Sequence, residues 1–446
     1  MQKRRSPGLI YIVATLVFGL FSSHALSQSN KKPKLKDFGS SLKRLKWDPE
    51  RQAAVETRSN RDSPKASPDD DVVKVQTSLV VNDIVVLDAR GQPVQNLTER
   101  DFVVTEDGMA QKVGVFSIGD NLAIPKSIVL IIDYSGSQAL YIQNSVAAAK
   151  VLIDKLGPAD RMAIVTDDVE LLVNFTTNKG KLKDALDSLV NTVERAFDFD
   201  PDRRHRRRYG LSLQYSALMA VLKEAFDAED QRPIIVFQTD GDEVFFLRNP
   251  IIVPTIPPNL PPDLANGMTR ALKVMRRHKT AEFSLTDLYK TVEQSRATIY
   301  TVVPGVRMIG LSLDEQIRQT RREWERLLAS SVPRDRQVGE RMKQQWQNTP
   351  VDALRFYASE HDKIQSALAV IATLAGGWTE FLELPSQADE IYSRIFSDIN
   401  RRYIIGYYPT NKEHDGKRRK ISIEVRDHPE YVVIGRKAYY APEPVN

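Results

Sequence analysis

Three side chains that could bind a metal ion follow an apolar run in the first third of the chain. Asp133, Ser135 and Ser137 have the spacing Asp-x-Ser-x-Ser, and they come directly after SIVLII, which ends at Ile132. One carboxylate and two hydroxyls in this spacing fit either a cradle for a hard cation or an ordinary polar turn. The elements around them decide between these two interpretations.

A second polar loop follows the apolar run PIIVFQ, which ends at Gln238. Its sequence is TDGDE, with Asp240 in second place, and Ser212 stands upstream at the start of LSLQYSALMAVL. In open sheets covered by helices, ligands bind beyond the carboxyl ends of the strands, where the connections change direction. This rule favours a metal site, formed by Asp133, Ser135, Ser137, Ser212 and Asp240.

The predicted ligands are those of a hard cation. Mg²⁺ takes oxygen ligands and keeps several waters, so that a few protein groups suffice. We expect Mg²⁺, with Mn²⁺ or Ca²⁺ as the other candidates. Two carboxylates balance the charge of the ion, and neutral hydroxyls leave it electrophilic. An open coordination position would attract a carboxylate from a protein partner, so the predicted function is adhesion.

We expect this site to bind rather than to catalyse. No His or Lys stands nearby in a motif that could supply a general base, and the six His residues lack zinc-like spacing. Two alternatives stay open. One is a metal-dependent hydrolase that uses Asp240, Asp242 and Glu243, and the other is a structural envelope protein whose site is unused.

The middle of the chain, 124–402, alternates buried strands with helices that carry an apolar stripe. Examples are SIVLIID, RMAIVTD, PIIVFQTD and ATIYTVV for strands, and SLTDLYKTVEQS for a helix. This order predicts a doubly wound α/β domain with a mostly parallel sheet and helices on both faces.

The segments on either side of it are rich in short strands. Residues 74–120 contain SLVVNDIVVLD and KVGVFSI, and residues 403–441 contain YIIGYYP and RKISIEVR. Neither segment is large enough to fold comfortably alone. We therefore predict one discontinuous antiparallel β-sandwich into which the α/β domain is inserted.

The amino-terminal residues indicate export. Basic residues precede an apolar stretch, and Ala25-Leu26-Ser27 fits a cleavage site, so 1–27 is predicted to be a signal peptide. Residues 28–73 contain few large apolar side chains and are predicted to be a disordered linker. The protein would be secreted, periplasmic or held in the cell envelope, without membrane contact after cleavage.

The whole-chain composition agrees with an exported globular protein. The 446 residues include no cysteine, so packing or metal rather than disulfides must hold the fold. The net charge of +5 is small beside 63 basic and 58 acidic side chains. No nucleic-acid-binding module is visible, and we expect no nucleic-acid partner.

Three stretches look like additions to a plain domain. The first, RRHRRRYG, contains Arg206, Arg207 and Arg208 and is either a solvated loop or a patch that steers an acidic partner. The second, 244–263, contains Phe245 and Phe246 and is either a contact surface or a loop folded back over the sheet. The third, about 306–357, predicts a helical hairpin that either packs on the domain or binds a partner.

These residues carry a resemblance to a known family. The central region resembles a von Willebrand factor type A domain, whose metal-ion-dependent adhesion site reads Asp-x-Ser-x-Ser, then Thr, then Asp. Asp133, Ser135, Ser137 and Asp240 match that pattern, while Ser212 stands where the family has Thr and lacks its methyl group. The resemblance implies a divalent cation at these residues and a carboxylate-bearing partner.

The resemblance extends beyond the central region. LVVNDIVVLDARGQPVQNLTERDFVVTEDG, IATLAGGWTEF and QADEIYSRIFSDINRRYIIGYYP resemble segments of exported bacterial proteins described as von Willebrand factor A-related. Together with GRKAYYAP and the central region, the resemblance covers most of the chain after the predicted signal peptide. The resemblance implies the fold and the site more firmly than a biological role.

Overall fold

The computed structural model describes residues 45–48, 53–56, 79–118, 125–135, 138, 141–197, 213–226, 232–243, 283–347 and 351–442. This part of the chain contains sixteen strands and eight α-helices. In chain order they are β1 (Leu45–Asp48), β2 (Ala53–Glu56), β3 (Val80–Leu87), β4 (Phe102–Glu106), β5 (Met109–Gln111), β6 (Val113–Ile118), β7 (Lys126–Ile132), α1 (Ile142–Asp154), β8 (Arg161–Thr166), β9 (Leu171–Thr176), α2 (Lys179–Phe197), α3 (Gln214–Glu224), β10 (Arg232–Gln238), α4 (Leu285–Gln294), β11 (Thr298–Pro304), α5 (Leu313–Ala329), α6 (Pro333–Gln347), α7 (Val351–Leu374), β12 (Thr379–Leu382), α8 (Ala388–Arg401), β13 (Tyr403–Tyr407), β14 (Arg418–Val425), β15 (Val432–Ile434) and β16 (Ala438–Tyr440).

The large sheet has the strand order β1-β2-β9-β8-β7-β10-β11-β12. From β8 to β12 all neighbours are parallel, and β9 is antiparallel to β8. The chain passes from β7 to β8 on one side and returns later to β10 on the other side. The direction of winding therefore changes between β7 and β10, which is where such sheets place their ligands.

Helices cover both faces of this sheet, so every residue of β7 and β10 is buried. A hydrophobic core lies on each face of the sheet, and alternate residues of β7 point into one core or the other. Val129 and Ile131 pack with α3, α4 and α7, whereas Ile128 and Leu130 pack with α1, α2 and α8. The predicted doubly wound α/β architecture is confirmed.

A sandwich of two four-stranded antiparallel sheets lies beside this unit. One sheet has the order β15-β3-β13-β6 and the other β16-β14-β4-β5, so both ends of the described chain contribute to each. Phe102, Tyr403 and Ile423 belong to the shared core between the sheets. The predicted discontinuous sandwich is confirmed. The exact boundaries at 73, 120 and 402 stay predictions.

Two buried arginines join the sandwich to the α/β unit, and Arg402 is the first. It directly precedes β13 and is 1% exposed. Its guanidinium donates 2.6 Å to Asp398 Oδ2 on α8, 3.1 Å to the carbonyl of Asp83 on β3, and 2.7 Å to the carbonyl of Gly376. One side chain therefore bridges three segments.

Arg436 is the second. It lies between β15 and β16 and donates to the carbonyls of Val81 and Ser295 at 2.5 and 2.6 Å, and to Asn82 Oδ1 at 3.2 Å. Because Ser295 directly follows α4 and Val81 lies on β3, this guanidinium also connects the two units. Five backbone or amide oxygens and one carboxylate accept from the two buried side chains, which fixes the sandwich against the sheet.

The predicted linker, 28–73, includes two strands that the sequence did not predict. β1 and β2 form an antiparallel pair, and Ala53 of β2 pairs with Thr176 at the edge of the large sheet. The remaining linker residues and the predicted signal peptide, 1–27, lie outside the described residues. Within the described ranges, no helix combines the length and the hydrophobicity needed to span a bilayer.

Candidate metal-binding site

The site is built at the carboxyl ends of β7 and β10. The two strands are in parallel register, with Ile132 beside Gln238, so Asp133 and Thr239 leave the sheet at the same level. The backbone N–H of Asp133 donates 2.9 Å to the carbonyl of Gln238 and extends the pairing by one residue. The sheet itself therefore brings the two polar loops together.

Asp133 is held by hydrogen bonds from both loops. It is 2% exposed, and its Oδ1 accepts 2.9 Å from the backbone N–H of Ser135. Its Oδ2 accepts 2.8 Å from the hydroxyl of Thr239, the residue before Asp240. The carboxylate thus has a fixed orientation, and it ties its own loop to the loop after β10.

Asp240 is half-buried, and its two oxygens are also fixed. Oδ1 accepts 2.9 Å from the backbone N–H of Asp242, and Oδ2 accepts 2.7 Å from Nε2 of Gln138. Gln138 belongs to the loop after β7 and is almost fully buried. A second side-chain bond therefore crosses between the two loops.

The two carboxylates influence each other. Burial, as the largest cause, and the negative charge of Asp240 together raise the pKa of Asp133 to about 7, against hydrogen bonds from Ser135 and Thr239 that lower it. Neighbouring carboxylates in a buried setting favour either a proton or a cation between them. The structure therefore places Asp133, Ser135 and Asp240 at the same edge of the sheet, and their role as metal ligands stays a prediction.

The other predicted site residues lie outside the described residues. These are Ser137, Ser212, Arg206, Arg207, Arg208, Phe245 and Phe246. Leu213, which follows Ser212, donates its N–H 3.1 Å to the carbonyl of Asp167 in the loop after β8. The chain next to Ser212 is thus anchored at the same edge of the sheet, and the roles of the seven residues stay predictions.

Glu243 has a role that the sequence did not reveal. It is 3% exposed, and its Oε2 accepts 2.8 Å from the backbone N–H of Tyr215, in the first turn of α3. The Ser216 N–H also hydrogen-bonds to this carboxylate. These donors are the unpaired N–H groups of a helix start. Burial, the largest cause, raises the pKa of Glu243 to about 8.

Gly241 allows the loop after β10 to turn tightly. Its φ of +77° lies in the left-handed region, and a Cβ at this position would lie 2.9 Å from Leu368 Cδ1 on α7. A side chain would therefore meet both backbone strain and a clash. This glycine lets Asp240 and Asp242 stand on either side of a sharp bend against the helix layer.

Helix α5 reaches the loop that follows β7. The hydroxyl of Tyr141, directly before α1, donates 3.1 Å to Oε1 of Glu323, and Arg326 donates to both oxygens of that carboxylate. The predicted helical insertion, 306–357, contains α5 and α6. Its first helix thus packs on the domain and contacts the loop that carries the site.

The donor set fits a small hard cation. In the described part of the chain no three His, Cys, Asp or Glu side chains converge as a metal centre. A cation here would therefore depend on two carboxylates, hydroxyls and water, a combination that suits Mg²⁺. The buried Gln138 Oε1 has no hydrogen-bond partner among the described residues, so one more polar contact is available at the site.

No protein-family model matches the chain, and no curated protein matches it in sequence. Solved von Willebrand factor type A structures are similar to it. The one from Catenulispora acidiphila is 12% identical at a TM-score of 0.29, over 83% of this chain and 74% of that one. The von Willebrand domain of the pili tip protein Mfa5 from Porphyromonas gingivalis is 12% identical at 0.29, over 62% and 96%.

The manganese-loaded TRAP protein of Plasmodium vivax is also similar, at 12% identity and a TM-score of 0.27, over 77% of this chain and 100% of that one. The expected likeness to type A domains is confirmed at the level of similar structures. TM-scores this low carry nothing about function, which depends on the geometry of the site itself.

Proposed function

We propose that the chain is an exported, non-enzymatic binding protein that holds a divalent cation between Asp133 and Asp240. Ser135, with Ser137 and Ser212 as predicted further ligands, would complete the protein share of the coordination. When bound, the cation supplies an electrophilic position that a carboxylate oxygen of a protein partner can fill.

The observation that supports this proposal is the pair of bonds across the two loops. Thr239 donates to Asp133, and Gln138 donates to Asp240, so two buried or half-buried carboxylates are held at the point where the sheet changes its winding direction. The carboxylate oxygens of Asp133 and Asp240 are therefore already oriented at the edge of the sheet where a divalent cation could bind.

The hydrolase alternative has less support. Glu243 would have to act as a base or a ligand, and its carboxylate accepts hydrogen bonds from the first turn of α3. Moving it would leave helix N–H groups without an acceptor. The described residues of the loops after β7 and β10 contain no His or Lys that could act as the general base instead. Turnover of ester or peptide substrates by the wild-type chain that disappears in Asp240→Asn would favour the hydrolase.

The cation is tested by isothermal titration calorimetry of the chain with Mg²⁺ and with Mn²⁺. We expect saturable binding that weakens tenfold or more in Asp240→Asn. The matched control is Asp187→Asn, which removes an exposed carboxylate that pairs with Lys150 on α1, away from the site. A wild-type chain that shows no binding at millimolar cation would make the site structural only.

The partner is tested separately. The immobilised chain is exposed to extracellular or envelope protein in Mg²⁺ and then washed with EDTA. We expect proteins that are retained in Mg²⁺, released by the chelator and not retained by Asp240→Asn. If proteins are retained equally in EDTA and by Asp240→Asn, the partner binds elsewhere on the molecule.

A further inference from the structure

Gln138 is a buried amide at the centre of the candidate site, and neither the Asp-x-Ser-x-Ser pattern nor Asp240 includes it. It is 1% exposed, and its Nε2 donates 2.7 Å to Asp240 Oδ2. The other oxygen of Asp240 accepts from Asp242 N–H at 2.9 Å. Of these two restraints, only the bond from Gln138 comes from the loop after β7.

The second polar atom of the same amide is unsatisfied. Oε1 of Gln138 is buried and has no hydrogen-bond partner among the described residues. A buried acceptor without a donor costs free energy, and native structures usually explain such an atom by a water or an ion. A water bound to a divalent cation is a strong donor, and beside Asp240 it would supply the missing bond.

From these two contacts we infer that Gln138 is a positioning residue of the cation site. Its N–H holds Asp240 in the orientation that the cation needs, and its Oε1 accepts a hydrogen bond from a water on that cation. The inference rests on the proposed function, because it requires a cation at Asp133 and Asp240. Groups that hydrogen-bond to ligating carboxylates contribute about 10-fold to 100-fold to metal affinity.

The test compares the cation affinity of the wild-type chain with that of Gln138→Met. Methionine keeps the length and flexibility of the side chain and removes both amide atoms. By calorimetry with Mg²⁺ and Mn²⁺, we expect affinity to fall by about tenfold or more. Gln138→Asn, which keeps the amide but is one methylene too short to reach Asp240, should also weaken binding.

The matched control is Gln316→Met on α5. Gln316 is also buried, it also has an unsatisfied Oε1, and its Nε2 donates to the carbonyl of Leu311 rather than to a site residue. Its substitution should leave the cation affinity unchanged. The thermal midpoint of each variant in EDTA separates loss of packing from loss of cation binding.

The outcomes are distinct. A wild-type chain that binds the cation while Gln138→Met binds it equally well overturns the inference and leaves the proposed function standing. A lower midpoint in EDTA with unchanged affinity gives Gln138 a structural role only and also overturns it. A wild-type chain that binds neither cation defeats the proposed function itself.

Discussion

The hydroxyl of Thr239 donates a 2.8 Å hydrogen bond to Oδ2 of Asp133 and accepts one of 3.0 Å from the N–H of Gly241. Thr239 is fully buried, so Thr239→Val keeps the shape and leaves both partners unsatisfied. We expect the free energy of unfolding to fall by about 1 to 3 kcal/mol.

Urea unfolding in EDTA measures this change. Thr239→Ser keeps the hydroxyl and serves as the control, with a smaller loss that reflects one methyl group. If the Val and Ser variants lose the same stability, the hydroxyl does not hold Asp133 and the loss comes from packing alone.

Removing the cation should lower stability. A ligand bound only by the native state stabilises it by mass action, by about 2.7 kcal/mol at a concentration 100 times its Kd. We expect Mg²⁺ to raise the thermal midpoint and EDTA to lower it. Asp133→Asn should abolish the rise while leaving the fold intact in EDTA, because it removes a buried charge and keeps an acceptor for Ser135. A rise that persists in Asp133→Asn would place the cation elsewhere.

Stability without metal should fall as pH rises. The pKa of Glu243 is raised from 4.5 to about 8, so between these values the native state holds a proton that the unfolded chain has released. Unfolding is then favoured as pH increases through this window, with a total change on the order of a few kcal/mol. Asp133, with a pKa raised from 3.8 to about 7, acts in the same direction.

Urea unfolding at pH 5, 6.5 and 8 in EDTA checks this sign. Glu243→Gln keeps an acceptor for Tyr215 N–H and cannot titrate, so its stability should depend less on pH than that of the wild type. A wild-type stability that rises with pH over this range would contradict a raised pKa of these two carboxyl groups.

Arg402→Met should destabilise the junction between the two units. The substitution removes the guanidinium that pairs with buried Asp398 and leaves that carboxylate without its cation. We expect a loss on the order of 3 to 5 kcal/mol, because one partner of a buried pair is left uncompensated. Arg394→Met on α8, whose guanidinium is half-exposed beside Glu380, should cost about 1 kcal/mol or less. Equal losses would contradict a special role for the junction.

Much of the architecture could be predicted because it depends on local patterns. Buried runs such as SIVLII and PIIVFQ differ from alternating strands such as RKISIEVR, and this difference separates the parallel sheet from the sandwich. Ligands bind in such sheets where the connections change direction. Once the sheet was predicted, this rule placed Asp133 beside the loop that contains Asp240. Strand β9 and the pair β1 and β2 were missed, because short segments of mixed polarity carry no clear period.

The contacts that fix the site could not be predicted in the same way. Gln138 to Asp240, Tyr215 to Glu243 and Tyr141 to Glu323 join residues that are distant in sequence. A lone Gln or Glu carries no spacing signal, since its partner is set by how whole elements pack.

The place where the chain leaves and re-enters the sandwich has a consequence for modularity. Ile118, the last residue of β6, lies directly opposite Tyr403, the first residue of β13, in an antiparallel pair. A tight turn could close this gap and leave all eight strands of the sandwich in their present order. The segment between β6 and β13 therefore starts and ends at two directly paired strands, and another insert could begin and end at the same two strands.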